Sequence, residues 1–198
     1  TAGAPIDVFV IDTGRLHAET LDLLERARAR FGIEILVYRP QEQAVTDYVS
    51  RFGLNAFYQS VELRHRCCEI RKVEPLERAL NGRDAWVTGQ RRAHGPERAA
   101  LPVEEADTVR GISKFNPLAL WPDEAVWEYI GRHEVPFNPL HRRGYPSIGC
   151  EPCTRAIKAG ESVRAGRWWW ETDGSKKECG LHVVTPPLPP GRVRVRKA

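Results

Sequence analysis

Two pairs of cysteines constrain this chain more than any other feature of its sequence. Cys150 and Cys153 stand two residues apart with Pro152 between them, and Cys67 and Cys68 are adjacent much earlier in the chain. A Cys-x-x-Cys turn brings two thiolates to one metal centre, and a second pair completes a set of four ligands. Shared metal ligation is therefore the first hypothesis. A redox dithiol in one pair and coincidence in the other are its alternatives.

The spacing of the earlier pair favours an iron-sulfur cluster over zinc. Structural zinc sites take each cysteine pair from residues separated by a short spacer, whereas Cys67 and Cys68 are direct neighbours. A cubane cluster binds one thiolate at each iron, and it accepts adjacent cysteines where the backbone between them is irregular. Pro75 lies inside the helix predicted after this pair and indicates a kink or a late helix start.

The rest of the chain alternates apolar strands with amphipathic helices. We predict strands at 6–11, 33–38 and 85–88, and helices at 20–31, 45–52, 70–80 and 125–130. Val45, Tyr48, Val49 and Phe52 repeat at helical spacing, and the aromatic residues among them are predicted core residues. This alternation is typical of an α/β fold with a parallel sheet and crossover helices. We expect residues 1–170 to form one domain that binds nucleotide and cluster, 171–184 to form a mobile segment with a catalytic cysteine, and 185–198 to form a disordered basic tail rich in proline.

The composition of the chain bears on where the protein is located and on what it can bind. The sequence has no apolar run of membrane-spanning length and no signal pattern at its start, so we expect no membrane partner. Five cysteines, an odd number and clustered, do not indicate a disulfide framework, and a reducing cytoplasmic location fits them. The net charge of +4 permits a polyanionic partner, but the arginines are too local for a nucleic-acid face.

Polar loops follow two of the predicted strands, where open α/β sheets bind ligands. Asp12, Thr13 and Gly14 follow the first strand and are candidate nucleotide contacts, although a simple turn has the same pattern. Gly89 begins the loop after the third strand, and that loop contains Arg98 with two other arginines. Guanidinium groups bind phosphate or sulfate through paired hydrogen bonds, so this loop is a candidate anion site. A solvated basic loop is the alternative.

Further cations stand beside the two cysteine pairs. Lys72 would lie near an anionic cluster, unless it is a solvated helix lysine. Arg164 and Arg167 precede three consecutive tryptophans that either stack on nucleic-acid bases or, more commonly, pack in the core. His133 and His141 are interpreted as structural or surface residues, because four cysteines are already available as ligands.

The fifth cysteine, Cys179, differs from the others because it stands alone near the end of the chain. Two lysines, Lys176 and Lys177, precede it. Nearby cations lower the pKa of a thiol and so increase its reactive thiolate fraction. Cys179 is therefore a candidate nucleophile, with an unreactive surface thiol as the alternative.

Taken in order, the motifs of residues 6–183 resemble those of the assimilatory, thioredoxin-dependent adenylyl-sulfate (APS) reductases. They are Asp12-Thr13-Gly14, Cys67-Cys68-x-x-Arg71-Lys72, the Arg98 loop, Gly149-Cys150-x-x-Cys153-Thr154, Arg167-Trp168-Trp169-Trp170 and Glu178-Cys179-Gly180-Leu181-His182. The resemblance is specific because the set combines metal ligation with thiol chemistry.

The resemblance implies an enzyme of sulfate assimilation and cysteine biosynthesis. In such an enzyme, Cys179 would attack the sulfur of adenosine 5′-phosphosulfate, release AMP and carry an S-sulfocysteine, from which thioredoxin or a similar dithiol would release sulfite. The resemblance also implies a possible homo-oligomer. The implied ligands of a 4Fe-4S cluster are Cys67, Cys68, Cys150 and Cys153, and the implied cations for the phosphosulfate are Lys72, Arg98, Arg164 and Arg167.

The implied fold is the adenine-nucleotide α-hydrolase-like, ATP-pyrophosphatase-like fold, which is Rossmann-like. We expect this chain to lack the first strand and the serine- and glycine-rich phosphate loop of that fold, and hence to bind nucleotide weakly. Two other functions remain open. A 3′-phosphoadenylyl-sulfate reductase is one, although relatives with that substrate lack the cluster cysteines. A metal-bearing nucleic-acid-binding module is the other, and it leaves Cys179 unexplained.

Overall fold

Parallel strand pairs form the framework of the protein in a computed structural model that describes residues 6–171 and 179–182. Strands β1 (Val8–Ile11) and β2 (Ile35–Tyr38) pair in parallel, and helix α1 (Ala18–Phe31) connects them. Helix α2 (Glu42–Phe52) follows β2. Both helices end at glycines, and Gly32 adopts the left-handed conformation that stops α1. This half of the protein matches the predicted strand and helix order.

A second sheet contains strands β3 (Ala85–Val87), β4 (Glu104–Asp107) and β5 (Ile112–Phe115), in the order β3-β5-β4. Strand β3 pairs with β5 in parallel, and β4 pairs with β5 antiparallel. The sequence did not predict β4 or β5. Strand β4 is mostly charged, and β5 has apolar residues only at its two ends. Lys114 of β5 forms an ion pair with Glu105 of β4 at 2.7 Å. Apolar alternation therefore could not reveal these strands, and the sheet is mixed rather than purely parallel.

The adjacent cysteines end a helix that continues through a widened turn. Helix α3 (Val61–Cys68) leads into a π-helical turn (Glu69–Val73) and then into helix α4 (Glu74–Leu80). In the widened turn, the backbone N–H of Glu74 donates to the carbonyl of Glu69, five residues earlier. Pro75 follows this turn directly. The irregular backbone predicted beside the cysteine pair is confirmed, and such π-turns often occur at functional sites.

The second cysteine pair lies in a short 3-10 turn. Helix α5 (Asp123–Arg132) begins after Pro122 and includes the predicted range 125–130. Further along, a 3-10 turn (Glu151–Cys153) places Pro152 between the two cysteines. The N–H of Cys153 donates to the carbonyl of Cys150 at 3.0 Å. This short turn fixes the separation of the two thiols.

Two groups of buried side chains form the core. One group contains Leu76, Leu80 and Trp86, and Ile11 packs against it. The other surrounds the cysteines and contains Phe57, Cys150, Cys153 and Trp168. The cysteines thus belong to the hydrophobic core itself.

The predicted core residues of α2 differ in burial. Tyr48 is buried and Phe52 is half-buried, whereas Leu21 and Phe31, on the apolar face of α1, are 43% and 49% exposed. Helical periodicity predicted the position of α1. It did not predict how exposed the apolar side chains of α1 are among the described residues.

None of the helices in the described part combines the length and the apolar character needed to cross a bilayer. The predicted tail, 185–198, lies outside the described residues, as do Lys176 and Lys177.

Candidate active site

A cavity of about 570 Å³ opens at the carboxyl ends of β1 and β3. Thr13 enters its wall from the loop after β1, and Thr88 and Gly89 enter from the loop after β3. This is the edge at which parallel strands present loops to a ligand. The structure brings most of the predicted site residues to this one cavity, namely Thr13, Lys72, Gly89, Arg98, Cys150, Arg164, Arg167 and Cys179.

Two predicted nucleotide contacts, Asp12 and Gly14, support the loop instead of lining the cavity. The carboxylate of Asp12 accepts from the N–H of Gly14 and from Arg39, both at 3.0 Å. Gly14 has a φ of +69° and packs against Arg71, whose guanidinium donates to the carbonyl of Thr13 at 2.7 Å. These contacts fix Thr13 in the cavity wall. Direct contact of Asp12 and Gly14 with a substrate stays a prediction.

The four paired cysteines surround a second, much smaller cavity of about 10 Å³. Cys67 and Cys68 reach it from the end of α3, and Cys150 and Cys153 reach it from the 3-10 turn. All four are free thiols. The hydroxyl of Thr13 lies 3.3 Å from Sγ of Cys150. Cys150 and Lys72 line both cavities, so the cysteine cavity and the larger one share a wall.

Burial and neighbouring cations shift the pKa values of these thiols in opposite directions. Burial raises the pKa of Cys68 to about 11 and that of Cys153 to about 12, and Lys72 opposes the rise in both. Burial also raises the pKa of Cys67, against the attraction of Arg71. Conversely, burial alone would lower the pKa of Lys72, but negative charge on Cys150, Cys68 and Cys179 raises it. Thiolates and Lys72 therefore stabilise one another.

The cations beside the cysteines indicate that an anionic group belongs there. Arg71 and Lys72 are each only 7% exposed, and within residues 6–171 and 179–182 neither forms an ion pair with a carboxylate. A buried cation without a counter-charge is costly. In the described part of the chain, no three His, Cys, Asp or Glu side chains converge on a point where one metal ion could sit. The four thiols around one small cavity, with these two cations beside them, would suit an anionic cluster attached through several thiolates.

Arg167 connects the tryptophan segment with the cysteine turn. Its guanidinium lies 4.7 Å above the ring of Trp168 and 3.3 Å from the carbonyl of Ile148. Burial and repulsion by Arg164 lower the pKa of Arg167, and Cys179 opposes this effect. A methyl group on Gly149 would overlap the guanidinium of Arg167. Gly149 therefore provides the space in which Arg167 lies against the backbone before Cys150.

Cys179 reaches the cavity because the residues around it pack on both halves of the core. Its side chain packs on the group that contains Cys150 and Trp168, and Leu181 packs on the group that contains Trp86. The ring of His182 stacks on Trp86 with centroids 5.5 Å apart and planes 6° apart. Negative charge on Cys179 acts on two cations of the cavity wall, since it favours the charged forms of Lys72 and Arg167.

A buried ion pair ties the helix of the first cysteine pair to the segment that leads toward Cys179. Arg64 donates to both carboxylate oxygens of Glu171, at 2.7 and 2.9 Å. The two side chains are 0% and 2% exposed, and the Arg64 guanidinium lies 4.7 Å above Trp168. Trp168 itself is 0% exposed. The interpretation of this tryptophan as a packing residue is therefore confirmed.

Several cavity residues were not among the predicted site residues. They are polar side chains from the β3 loop and from the segments before Cys150 and after Cys179, namely Thr88, Gln90, His94, His141, Ser147 and His182. Gln90 and His94 lie in the loop that the sequence singled out for its arginines, so their position was the available signal. His141, interpreted as structural, does pack edge-on against Trp127 with centroids 5.7 Å apart. His133 is exposed.

Comparison with known proteins places these features in a family. The sequence profile described as "Phosphoadenosine phosphosulfate reductase domain" matches residues 1–156. An adenosine 5′-phosphosulfate reductase of Burkholderia cepacia is 61% identical over 188 residues, which cover 94% of this chain and 75% of the relative. One of Allochromatium vinosum is 56% identical over 178 residues, covering 90% and 69%. A crystal structure of phosphoadenylyl-sulfate (PAPS) reductase from Candida auris, in a phosphate complex, superimposes with a TM-score of 0.62 at 30% identity, covering 77% of this chain and 72% of that chain.

Proposed function

Because the chain belongs to the phosphoadenosine phosphosulfate reductase domain family and has its α/β fold, we propose that it reduces adenosine 5′-phosphosulfate to sulfite and AMP. The resemblance to APS reductases seen in the motifs is confirmed by relatives of that name at 61% and 56% identity. The role is that of an oxidoreductase of sulfate assimilation.

One observation carries the proposal. Cys179 shares a cavity with Lys72, Arg98, Arg164 and Arg167, although these residues come from widely separated parts of the chain. The phosphosulfate group is anionic and repels an attacking thiolate, so fixed cations around the nucleophile bind the substrate and offset that repulsion. No carboxylate lines this cavity among the described residues. The cavity therefore suits an anionic substrate.

In the first chemical step, the thiolate of Cys179 attacks the sulfur of the substrate. A new S–S bond forms, the bond from that sulfur to the bridging oxygen breaks, and its electron pair leaves on the phosphate of AMP. The product on the enzyme is an S-sulfocysteine. Lys72 and Arg167 line the same cavity as Cys179 and would offset the negative charge that gathers as the thiolate approaches the phosphosulfate. Cations of the same cavity stabilise the charge on the departing phosphate.

In the second step, a dithiol reductant such as thioredoxin supplies the two electrons. One of its thiolates attacks the sulfur of Cys179, and sulfite leaves with the electron pair of the broken S–S bond. The second thiol of the reductant then resolves the mixed disulfide and returns Cys179 to its reduced form. Cys179 is only half-buried, which suits a thiol that a protein reductant must reach.

We also infer that Cys67, Cys68, Cys150 and Cys153 hold a 4Fe-4S cluster. The supporting observations are the four free thiols around one small cavity and the buried cations Arg71 and Lys72 beside them. When bound, the cluster supplies negative charge that orders these cations next to the substrate cavity. Lys72 lines both cavities and would therefore link the cluster site to the substrate site. Five reduced cysteines fit a cytoplasmic location.

Sulfite release tests the proposed function. We expect anaerobically purified protein, supplied with thioredoxin and its reductase, to release one sulfite per adenosine 5′-phosphosulfate consumed. The same assay with the 3′-phosphorylated nucleotide tests the alternative substrate and should give much less sulfite. Release from the 3′-phosphorylated substrate alone, or from neither nucleotide, would contradict the proposal.

Gly149 provides a test of the cation arrangement. We expect Gly149→Ala to raise KM for the substrate by about tenfold, because the added methyl displaces Arg167 and a lost charged hydrogen bond costs roughly 1.5–3 kcal/mol. The control is Gly131→Ala, since a methyl group there meets no atom within 4 Å. Steady-state kinetics of the two variants make the comparison. Equal KM values would show that Arg167 does not depend on Gly149.

A further inference from the structure

His94 lines the active-site cavity, and the reaction described above assigns no role to it. It is the last residue of a 3-10 turn, Arg92–His94, in the loop that follows β3. A second 3-10 turn, Pro96–Arg98, follows immediately and carries the cation Arg98. His94 therefore lies within the part of the cavity that the substrate's anionic group is expected to occupy.

The hydrogen bond at one ring nitrogen determines what the other nitrogen can do. Nδ1 of His94 accepts the backbone N–H of Arg91 at 3.4 Å, which closes the turn. In a neutral imidazole, one nitrogen accepts and the other carries the proton. Nε2 of His94 is therefore a hydrogen-bond donor. Within the described residues, it has no acceptor.

The surroundings of His94 keep the ring neutral. Burial lowers its pKa to about 4, and Arg91, Arg98 and Arg164 add to this effect, while Asp123 opposes it. Asp123 is itself paired with Arg91. His94 thus offers a donor without adding a further positive charge to a cavity that already contains four cations. Because no carboxylate lines the described wall of the cavity, an anionic oxygen of a bound ligand would be the strongest acceptor that Nε2 could meet there.

We propose that Nε2 of His94 donates a hydrogen bond to an anionic oxygen of the bound phosphosulfate group, which makes His94 a substrate-binding residue. This inference rests on the proposed function, because it takes the substrate from it. The competing role is purely structural: the ring would serve only to accept the Arg91 N–H through Nδ1 and so to shape the turn.

Two amide substitutions separate the roles. The side-chain oxygen of asparagine can replace Nδ1 as the acceptor for Arg91, but asparagine has no group at the position of Nε2. The amide nitrogen of glutamine can replace Nε2 as the donor, but glutamine does not reproduce the Nδ1 acceptor. A hydrogen bond to a charged oxygen is worth about a tenfold to hundredfold change in affinity. We therefore expect His94→Asn to raise KM by that factor, and His94→Gln to stay within about threefold of the natural protein.

The readouts are KM and kcat for sulfite release, with iron content and thermal unfolding as checks that each variant is folded. The opposite order, with an active Asn variant and an impaired Gln variant, would assign the structural role and overturn the proposal. Equal loss in both variants, or no loss in either, would overturn it as well. Substrate affinity, measured by calorimetry in a Cys179→Ser background, tests the His94 contact even if the natural protein releases no sulfite. Failure of the proposed function is thereby distinguished from failure of this inference.

Discussion

Replacement of Cys179 by serine is expected to reduce sulfite release by on the order of 10⁴-fold or more, as removal of a nucleophile generally does. A serine hydroxyl is almost wholly un-ionised at neutral pH and is a far weaker nucleophile toward sulfur. The substitution changes one atom in a half-buried side chain. Substrate affinity and the visible absorbance of a bound cluster should therefore be unchanged, since neither depends on this thiol.

Intact mass spectrometry shows which cysteine carries the intermediate. Incubated with substrate but without reductant, the natural protein should gain the mass of one SO₃ group, and peptide mapping should locate it on Cys179. The serine variant should gain nothing under the same conditions. An adduct on any other cysteine, or undiminished turnover by the serine variant, would contradict the mechanism.

The sequence predicted those parts of the site that depend on chemistry and local pattern. Cysteine spacing indicated a shared site for four thiols, and the structure places Cys67, Cys68, Cys150 and Cys153 around one cavity. Loops after β1 and β3 were predicted to carry ligand contacts because parallel strands end at a common edge. Thr13, Gly89 and Arg98 do line that edge.

What the sequence did not predict depends on tertiary contacts between distant residues. The sequence indicated Asp12 as a candidate nucleotide contact but not that its carboxylate accepts hydrogen bonds from Gly14 and Arg39. The ion pair between Arg64 and Glu171 joins residues 107 positions apart, and no local pattern reveals such a partner. Strand β4 consists mostly of charged residues and pairs through its backbone, so it lacks the apolar alternation from which strands are recognised.

The cations expected to activate Cys179 also show that sequence proximity does not predict contacts in space. Sequence proximity pointed to Lys176 and Lys177, which lie outside the described residues. In the structure, Lys72 and Arg167 line the same cavity as Cys179, although they come from a helical turn and from a loop far from it in sequence. Electrostatic neighbours are set by distance in space, and the chain brings them together only on folding.

Removal of one cluster ligand should have the second large effect. The anaerobically purified natural protein is expected to contain about four irons and four sulfides per chain. Cys153→Ala should lose most of both and should unfold at a lower temperature. Two buried thiols, Cys68 and Cys150, and the half-buried Cys67 would remain without metal. Arg71 and Lys72, each 7% exposed, would lose the anionic group that offsets their burial.

The matched control for this substitution is Cys179→Ala, which removes the thiol that stands outside the two pairs. Cys179→Ala should retain the full iron and sulfide content and the unfolding temperature while losing activity. Iron and acid-labile sulfide analysis, visible absorbance and thermal unfolding measure these quantities without reference to turnover. Full iron content in Cys153→Ala would exclude this residue as a ligand. Stoichiometric zinc without sulfide in the natural protein would contradict the cluster and indicate a zinc site instead. The adjacent pair Cys67 and Cys68 argues against zinc.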